Sequence, residues 1–390
     1  MTVNEPPKEK DASKVRTFDK VYAYLDQHLK VGEKKANFRL PPIRQISRGT
    51  GVSPSSVRNV LLNLAEEGRV EIFPGSGAFW IPNPSRKREE LVIGINSFVA
   101  PGHEATAQRL WSSLYGGMIR AAVKESLEVK FKPVAFDLAS PQAVDFGNLS
   151  HTVKGADCFF FSYPSPMARH IVAFLEELAI PCIFYNPISP TETVNFLSPD
   201  YFGTARRIGR IWARTGRERI LLLQAPGAQR STSCQLLYAG LTTGLGMERA
   251  VLPEVRRLDI RENSRSLAAG AFKALVKEQK RPPDAVHCTA DESALGVRDA
   301  AYELGIEIPR QMSIIGGNGM SRHEEEGLLP LLTATEQPVG QIGENFIRLF
   351  QKRSANQMRE VPGLYFPMKV LIGQTTREEE NELLAGDRLA

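Results

Sequence analysis

Six cations share one stretch of chain with no acid among them. Lys34, Lys35, Arg39, Arg44, Arg48 and Arg58 all lie between Glu33 and Glu66, and no Asp or Glu falls inside that interval. Ammonium and guanidinium groups at this density match a row of phosphates, so the chemistry they offer is binding to a nucleic-acid backbone. The residue sets that bond-making chemistry needs are incomplete elsewhere. His103-Glu104 lacks the second His of an HExxH zinc helix, and the chain has no Walker lysine and no G-x-S-x-G elbow. Gly316-Gly317-Asn318-Gly319 follows an apolar run but does not continue as G-x-G-x-x-G, and His323 to Glu326 reads as a solvated acidic loop. Cys158, Cys182, Cys234 and Cys288 are far apart with no CxxC spacing. Three of them sit in apolar runs, so they read as buried free thiols rather than as a metal site or disulfides. The expectation is a binding protein: not an enzyme, with no catalytic residue, cofactor or metal.

The cations need elements to hold them, and Leu40 to Ile81 supplies these. Ile43–Thr50 reads as a short helix opened by Pro41 and Pro42, and Gly51 provides the positive φ of a sharp turn. Ser53 can cap the next helix, and Pro54 suits its first position. Val57, Val60, Leu61 and Leu64 then recur at helical spacing, and Gly68 stands where a C-terminal glycine is expected. Two short strands, Arg69–Phe73 and Ala78–Ile81, flank Pro74-Gly75-Ser76-Gly77 as a ribbon tip. Helix, turn, helix and ribbon make a winged helix-turn-helix whose second helix enters the major groove N-terminal end first. Upstream, Phe18, Val21, Tyr22, Leu25 and Leu29 form a helical stripe over Thr17–Leu29 that would back the pair.

The stretch resembles the DNA-binding domain of the GntR family of bacterial transcription regulators. The resemblance rests on Leu40-Pro41-Pro42-Ile43-Arg44, on Val52-Ser53 through Val57-Arg58, and on Gly75-Ser76-Gly77. It implies that Arg44 and Arg58 meet DNA, with Ser55 and Ser56 at the helix N-terminus and Gly75, Ser76 and Gly77 on or in the minor groove. Lys34 and Lys35 are expected on phosphates. Pro54 stands where the family often has Arg, so the operator sequence does not carry over.

Charge and composition divide the rest. The first ninety residues carry 16 Lys and Arg against 11 Asp and Glu, an excess of five that is the chain's whole net charge. The remainder is formally neutral, so the nucleic acid belongs to the N-terminal part. Residues 1–15 are polar and expected to be disordered, with the winged domain over 16–81. Residues 82–90, with Pro82, Pro84 and the run Arg86-Lys87-Arg88, read as a linker. Neither a secretory signal nor an apolar run of about 18 residues is present, so no membrane is expected and the chain reads as cytoplasmic.

From Leu91 the rhythm changes. Apolar runs at Leu91–Asn96, Val129–Phe136, Asp157–Phe161, Cys182–Tyr185, Ile220–Leu223, Ala285–Cys288 and Ser313–Gly316 alternate with amphipathic stretches at Ala107–Ser126, Met167–Leu178, Tyr201–Thr215, Ser231–Leu245, Ser264–Gln279, Glu292–Leu304 and Val339–Phe350. Strands apolar on both faces, alternating with helices, predict α/β architecture with parallel sheets flanked by helices, divided into two lobes. The domain is set at 91–376, with 377–390 as a frayed tail. Asp291-Glu-Ser-Ala-Leu-Gly296, Gly305 to Pro309, Ser313–Gly316, Leu332-Thr333 and Gln337-Pro338, in this order, resemble the effector domain of the LacI family, a two-lobed periplasmic-binding-protein-like (type I) fold. Asp200-Tyr-Phe-Gly203 leading to Gly216 is a second match. Three places where relatives hold sugar hydroxyls with Asn, Asp and Arg carry Ala290, Asn318 and Leu237 here, with Arg230 near enough to replace the Arg.

In such a fold the ligand lies at the carboxyl ends of the strands. That places Ser97, Phe98, Arg230, Asp291 and Asn318 at the cleft, with Asp291 either touching ligand or only capping its helix. The function expected is a homodimeric, ligand-responsive regulator that binds operator DNA and a small polar metabolite, a sugar. The alternative is an architectural DNA-binding protein whose second domain binds nothing.

Overall fold

In the computed structural model the chain opens with α1 (Glu9–Val31), α2 (Ile43–Thr50) and α3 (Pro54–Glu66), followed by the ribbon β1 (Val70–Phe73) and β2 (Gly77–Trp80). The structure describes residues 9–31, 38–66, 69–73, 77–80, 90–96, 104–134, 146–161, 168–187, 189–191, 195–224, 231–248, 253–279, 281–319, 330–352 and 361–386. α1 starts at Glu9, eight residues before the apolar stripe, so part of the stretch expected to be disordered is helical. The stripe itself does the packing: Val21 and Leu25 are fully buried with Ile46, Val57, Val60, Leu61, Leu64 and Val70 in one core. Phe38 to Leu40 bridges to the edge of the ribbon, Leu40 N–H donating to Ala78 O at 2.8 Å and Trp80 N–H to Phe38 O at 2.8 Å. Arg69 ties the ribbon to α1. It donates to the Tyr22 hydroxyl, and its guanidinium lies 4.8 Å from the Tyr22 ring centroid and 5.0 Å from that of Trp80.

The first sheet takes β3 (Glu90–Asn96), α4 (Glu104–Lys124), β4 (Glu128–Val134), α5 (Phe146–Val153), β5 (Cys158–Phe161), α6 (Ala168–Glu177), β6 (Cys182–Tyr185) and β7 (Phe196–Pro199). The chain then crosses to a second lobe of α7 (Tyr201–Arg214), β8 (Arg219–Gln224), α8 (Thr232–Glu248), β9 (Glu254–Asp259), α9 (Arg265–Gln279), β10 (Ala285–Cys288), α10 (Asp291–Glu303), β11 (Ser313–Asn318) and β12 (Thr333–Glu336). It returns to the first lobe for α11 (Val339–Lys352) and β13 (Leu364–Phe366). A third crossing leads to β14 (Lys369–Leu371) and α12 (Glu378–Ala385) on the second lobe.

The six-stranded sheets run β13-β7-β6-β5-β3-β4 and β14-β12-β11-β10-β8-β9. Every pairing in them is parallel except β12 with β14. Strands β5, β6, β8 and β10 are buried almost throughout, in line with their largely apolar runs. Each lobe also fastens its first helix to another by backbone approach at glycine. A Cβ on Gly117 would strike the Gly340 carbonyl between α4 and α11, and one on Gly244 would strike the Arg206 carbonyl between α8 and α7. Phe73 and Phe79 of the ribbon join the buried cluster of the first lobe that holds Leu91, Ile93 and Leu114.

All predicted elements from Leu91 onward are present, their ends within three residues of the expectation except where Val129–Phe136 runs into undescribed residues. The tail is a correction. Residues 377–390 were expected to fray, yet α12 packs on α7 with Glu380 and Leu384 buried. Arg207 donates to the carbonyls of Leu383, Leu384 and Gly386, and Arg377 N–H closes a capping box on Glu380 at 3.0 Å. The acids that make the tail look solvated include the one whose partner, Arg217, lies far back in the chain.

Candidate nucleic-acid and effector interfaces

Helices α2 and α3 owe their geometry to local polar contacts. Gly51 takes φ +68° and donates its N–H to Ser47 O at 3.0 Å, while Ser47 Oγ donates to Val52 O at 2.7 Å, fixing the turn. Ser53 Oγ accepts the Ser56 N–H at 3.2 Å and lies within 3.0 Å of the Ser55 and Ser56 hydroxyls, the cap the sequence predicts. Burial of Val57, Val60, Leu61 and Leu64 turns the opposite face of α3 outward, with Ser55, Arg58, Asn59 and Asn63 exposed and Ser56 half-buried. Arg44, Gln45 and Arg48 are exposed on α2. Among the described residues no carboxylate pairs with Arg44 or Arg58 within ion-pair distance.

Gly77 opens β2 at φ +108°, and the space its missing Cβ would take abuts the Arg39 guanidinium, Nε at 3.2 Å. Arg39, exposed and bridged to Phe79, therefore stands beside the ribbon tip. It belongs to the basic block, but sequence spacing gave no sign of this position, because the strand pairing that sets it is non-local. Lys34, Lys35, Gly75 and Ser76 lie outside the described residues.

The second candidate site follows from topology. In each lobe the strand order reverses, between β3 and β5 in one and between β8 and β10 in the other, and crevices form outside the carboxyl ends at such points. Ser97, Phe98 and Arg230 were expected at these ends and lie outside the described residues. Asp291 and Asn318 are described, and neither stands as a free side chain. Asp291 is the first residue of α10, 4% exposed, with Ala290 at the cap position. Its carboxylate lies against Gly316, where any Cβ would collide with it. Asn318 ends β11 half-buried at φ 144°, and its Oδ1 accepts the Gln337 amide at 2.8 Å. Leu237 is buried in the core between α7 and α8. At the ends of β8 and β9, Gln224 Nε2 donates to Asp259 Oδ1 at 2.8 Å.

Gln337, Tyr185 and Tyr201 are the polar groups that spacing could not bring together. The only signal was Gln337-Pro338 at the end of the motif series. Tyr185 Oη donates to Gln337 Oε1 at 2.7 Å, with Tyr201 Oη 3.4 Å from the same oxygen.

His287, in β10 between Leu222 and Ile315, is 2% exposed, and among the described residues neither ring nitrogen has a hydrogen-bond partner. Burial without a partner pulls its pKa down to about 4. The unfolded chain takes up that proton first, near pH 6.5, so stability is complete at neutral pH and falls as the pH drops towards 4. The expected loss is about 2 kcal/mol at pH 5, read as a lower urea midpoint than at pH 7.5. His287→Leu should flatten that part of the profile, and an unchanged slope in the variant would assign the loss to other groups.

Comparison with known proteins matches two segments of the chain. The profile described as "Bacterial regulatory proteins, gntR family" matches residues 17–79, and "Periplasmic binding protein-like domain" matches 212–376. The Catabolite control protein A of Staphylococcus aureus (strain MRSA252) is 28% identical over 152 residues, 39% of this chain and 44% of that protein. The HTH-type transcriptional repressor PurR of Serratia proteamaculans (strain 568) is 30% identical over 132 residues, 30% of this chain and 38% of that protein. The chain thus spans less than half the length of these relatives. In structure it is similar to a lac repressor dimer solved with operator and the anti-inducer ONPF, at TM-score 0.59 and 20% identity, covering 74% of this chain and 95% of that one. It is also similar to the transcriptional regulator CelR in its cellobiose complex, at TM-score 0.57 and 17% identity, covering 85% and 94%. At these identities the likeness concerns the fold. No helix among the described residues is long and apolar enough to cross a membrane.

Proposed function

We propose that this chain, which carries a GntR-type helix-turn-helix domain and a LacI-type periplasmic-binding-protein-like domain, is a ligand-responsive transcription regulator. It binds double-stranded operator DNA through α2, α3 and the ribbon, and a small polar metabolite, a sugar, between the lobes. The observation that carries this reading is the joining, in one chain, of an acid-free basic stretch to a pair of lobes, each with a switch point in its sheet. Arg44, Ser55, Ser56, Arg58 and the tip Gly75, Ser76 and Gly77 are assigned to DNA, with Lys34 and Lys35 on phosphate. Ser97, Phe98, Arg230, Asp291 and Asn318 are assigned to the effector. One recognition helix reads few base pairs, so a homodimer on a near-palindromic site completes the reading, in the cytoplasm and without enzymatic activity.

Effector can act only through its different affinities for the open and closed lobes. The ribbon phenylalanines packed on the first lobe give that motion a second route to the DNA-binding face, beside the linker 82–90. The competing architectural reading draws on Ala290, Leu237 and the engaged Asn318, which leave fewer polar groups for a sugar.

A thermal-shift screen of sugars on the full chain, followed by fluorescence anisotropy on a duplex the chain selects from a random pool, separates the two. A sugar that raises the melting temperature and changes duplex affinity several-fold, both weakened by Asn318→Ala and Arg230→Ala, supports regulation. A stabilising sugar that leaves DNA affinity untouched, or no stabilising sugar at all, leaves the architectural reading.

A further inference from the structure

Three crossings join the lobes: Pro199 to Tyr201, Gln337 to Val339, and Phe366 to Lys369. The first and third are tied by backbone, Asp200 N–H donating to Phe366 O at 2.7 Å. The second is tied by one side chain. Gln337 Oε1 accepts from Tyr185 of the first lobe at 2.7 Å and lies 3.4 Å from the hydroxyl of Tyr201, the first residue of α7 on the second lobe. Its Nε2 donates to Asn318 Oδ1 at 2.8 Å, at the carboxyl end of β11. One amide therefore spans both lobes and the cleft edge.

Burial holds the Tyr185 hydroxyl protonated, its pKa well above the usual tyrosine range, so it remains a donor at any working pH. Its ring meets Trp111 of α4 edge-on at 5.9 Å between centroids. A shift at Gln337 thus reaches Asn318 on one side and α4 on the other. Since Gln337 Oε1 accepts from Tyr185 and Nε2 donates to Asn318, the Asn318 oxygen is used and its NH2, at the carboxyl end of β11, is left as a donor.

We propose that Gln337 is a positioning residue that latches the interlobe hinge: it fixes the lobe angle in the absence of ligand and sets Asn318 to present a donor, so that a ligand oxygen accepting from that donor is what disturbs the latch. The part of this that concerns ligand and DNA rests on the regulatory reading above; the latch itself does not.

The test uses the full chain with spin labels on Glu177→Cys and Lys277→Cys, one exposed site per lobe, in a Cys234→Ser background. Cys158, Cys182 and Cys288 are buried and stay unlabelled. Pulsed dipolar spectroscopy without ligand or DNA reads the distance between lobes. The expected result is one narrow distribution in the parent and, in Gln337→Leu, a second population gaining about fivefold, the worth of one net hydrogen bond. Gln337→Glu should keep the narrow distribution, because its carboxylate still accepts from Tyr185 and the Asn318 amide can turn to donate to it. Tyr185→Phe, which keeps the ring on Trp111, serves as the second variant should the leucine protein fail to fold, and it should broaden the distribution likewise. A distribution unchanged in Gln337→Leu, or in Tyr185→Phe if that is the variant that folds, overturns the latch. So does equal broadening in Gln337→Glu and Gln337→Leu. Loss of sugar response with the latch intact would instead count against the regulatory reading alone.

Discussion

Replacing Arg44 and Arg58 together by Ala is expected to weaken binding to a chain-selected duplex by about 2–6 kcal/mol, from about 1–3 kcal/mol for each guanidinium that reads a base edge. Both side chains are exposed, on α2 and on the outward face of α3. Neither supports the core of Val57, Val60, Leu61 and Leu64, so the melting temperature should stay within a degree or so of the parent. The single variants separate two roles. A base-reading Arg loses discrimination at one position, whereas a phosphate-bound Arg weakens all duplexes alike and lowers the slope of log K against log salt by about 1. Unchanged affinity in the double variant would remove α2 and α3 from the DNA interface.

The largest effect on stability should come from Glu380→Ala. Arg217 and Glu380 are 1% and 0% exposed, with Nε to Oε1 at 2.8 Å. Ser313 Oγ, Thr215 Oγ1 at 3.3 Å and the Arg377 N–H at 3.0 Å also donate to the carboxylate. The guanidinium also donates to Ser313 Oγ, to Gln311 O at 3.3 Å and to Pro309 O at 3.2 Å. A buried pair with every lone pair met is close to neutral against a well-packed apolar substitute, but stripping one partner strands a charge in the interior. The alanine variant should therefore lose about 3–5 kcal/mol from the unfolding transition of the second lobe, followed by urea denaturation. Arg217→Met with Glu380→Leu should recover most of it. A loss under 1 kcal/mol in the single variant would show that α12 docks through Leu384 and the Arg207 contacts alone.

Much of this molecule is legible in its sequence because the signals are local. Helical spacing of Val57, Val60, Leu61 and Leu64 fixes which face of α3 is buried, and so which face carries Arg58. The Ser53 cap and the Gly51 turn depend on residues three or four positions away. Strands buried on both faces must be continuously apolar, which is why Cys182–Tyr185 and Ala285–Cys288 have the ends their runs give them. Elements that escaped include α5, β7 and β12, and also three whose environment is not local. β9, Glu-Val-Arg-Arg-Leu-Asp, is an edge strand, where charge is tolerated and the apolar run disappears. β13 and β14 are three residues each, too short to show a period, and exist because neighbouring strands complete their ladders.

The site divides along the same line. The sequence by itself determined a basic winged helix, a two-lobed α/β domain, and the residue types at strand ends where a ligand would lie. It did so because burial period, turn chemistry and charge density act over a few residues. Only the tertiary structure decided that Asp291 lies against Gly316, that Asn318 has an oxygen already occupied, and that Gln337 gathers tyrosines from both lobes. It alone brought Glu380 to Arg217, 163 positions away, and turned a tail that reads as solvated into a docked helix. A hydrogen bond or a buried charge is satisfied by whatever group the fold brings within about 3 Å, and distance along the chain places no limit on which group that is.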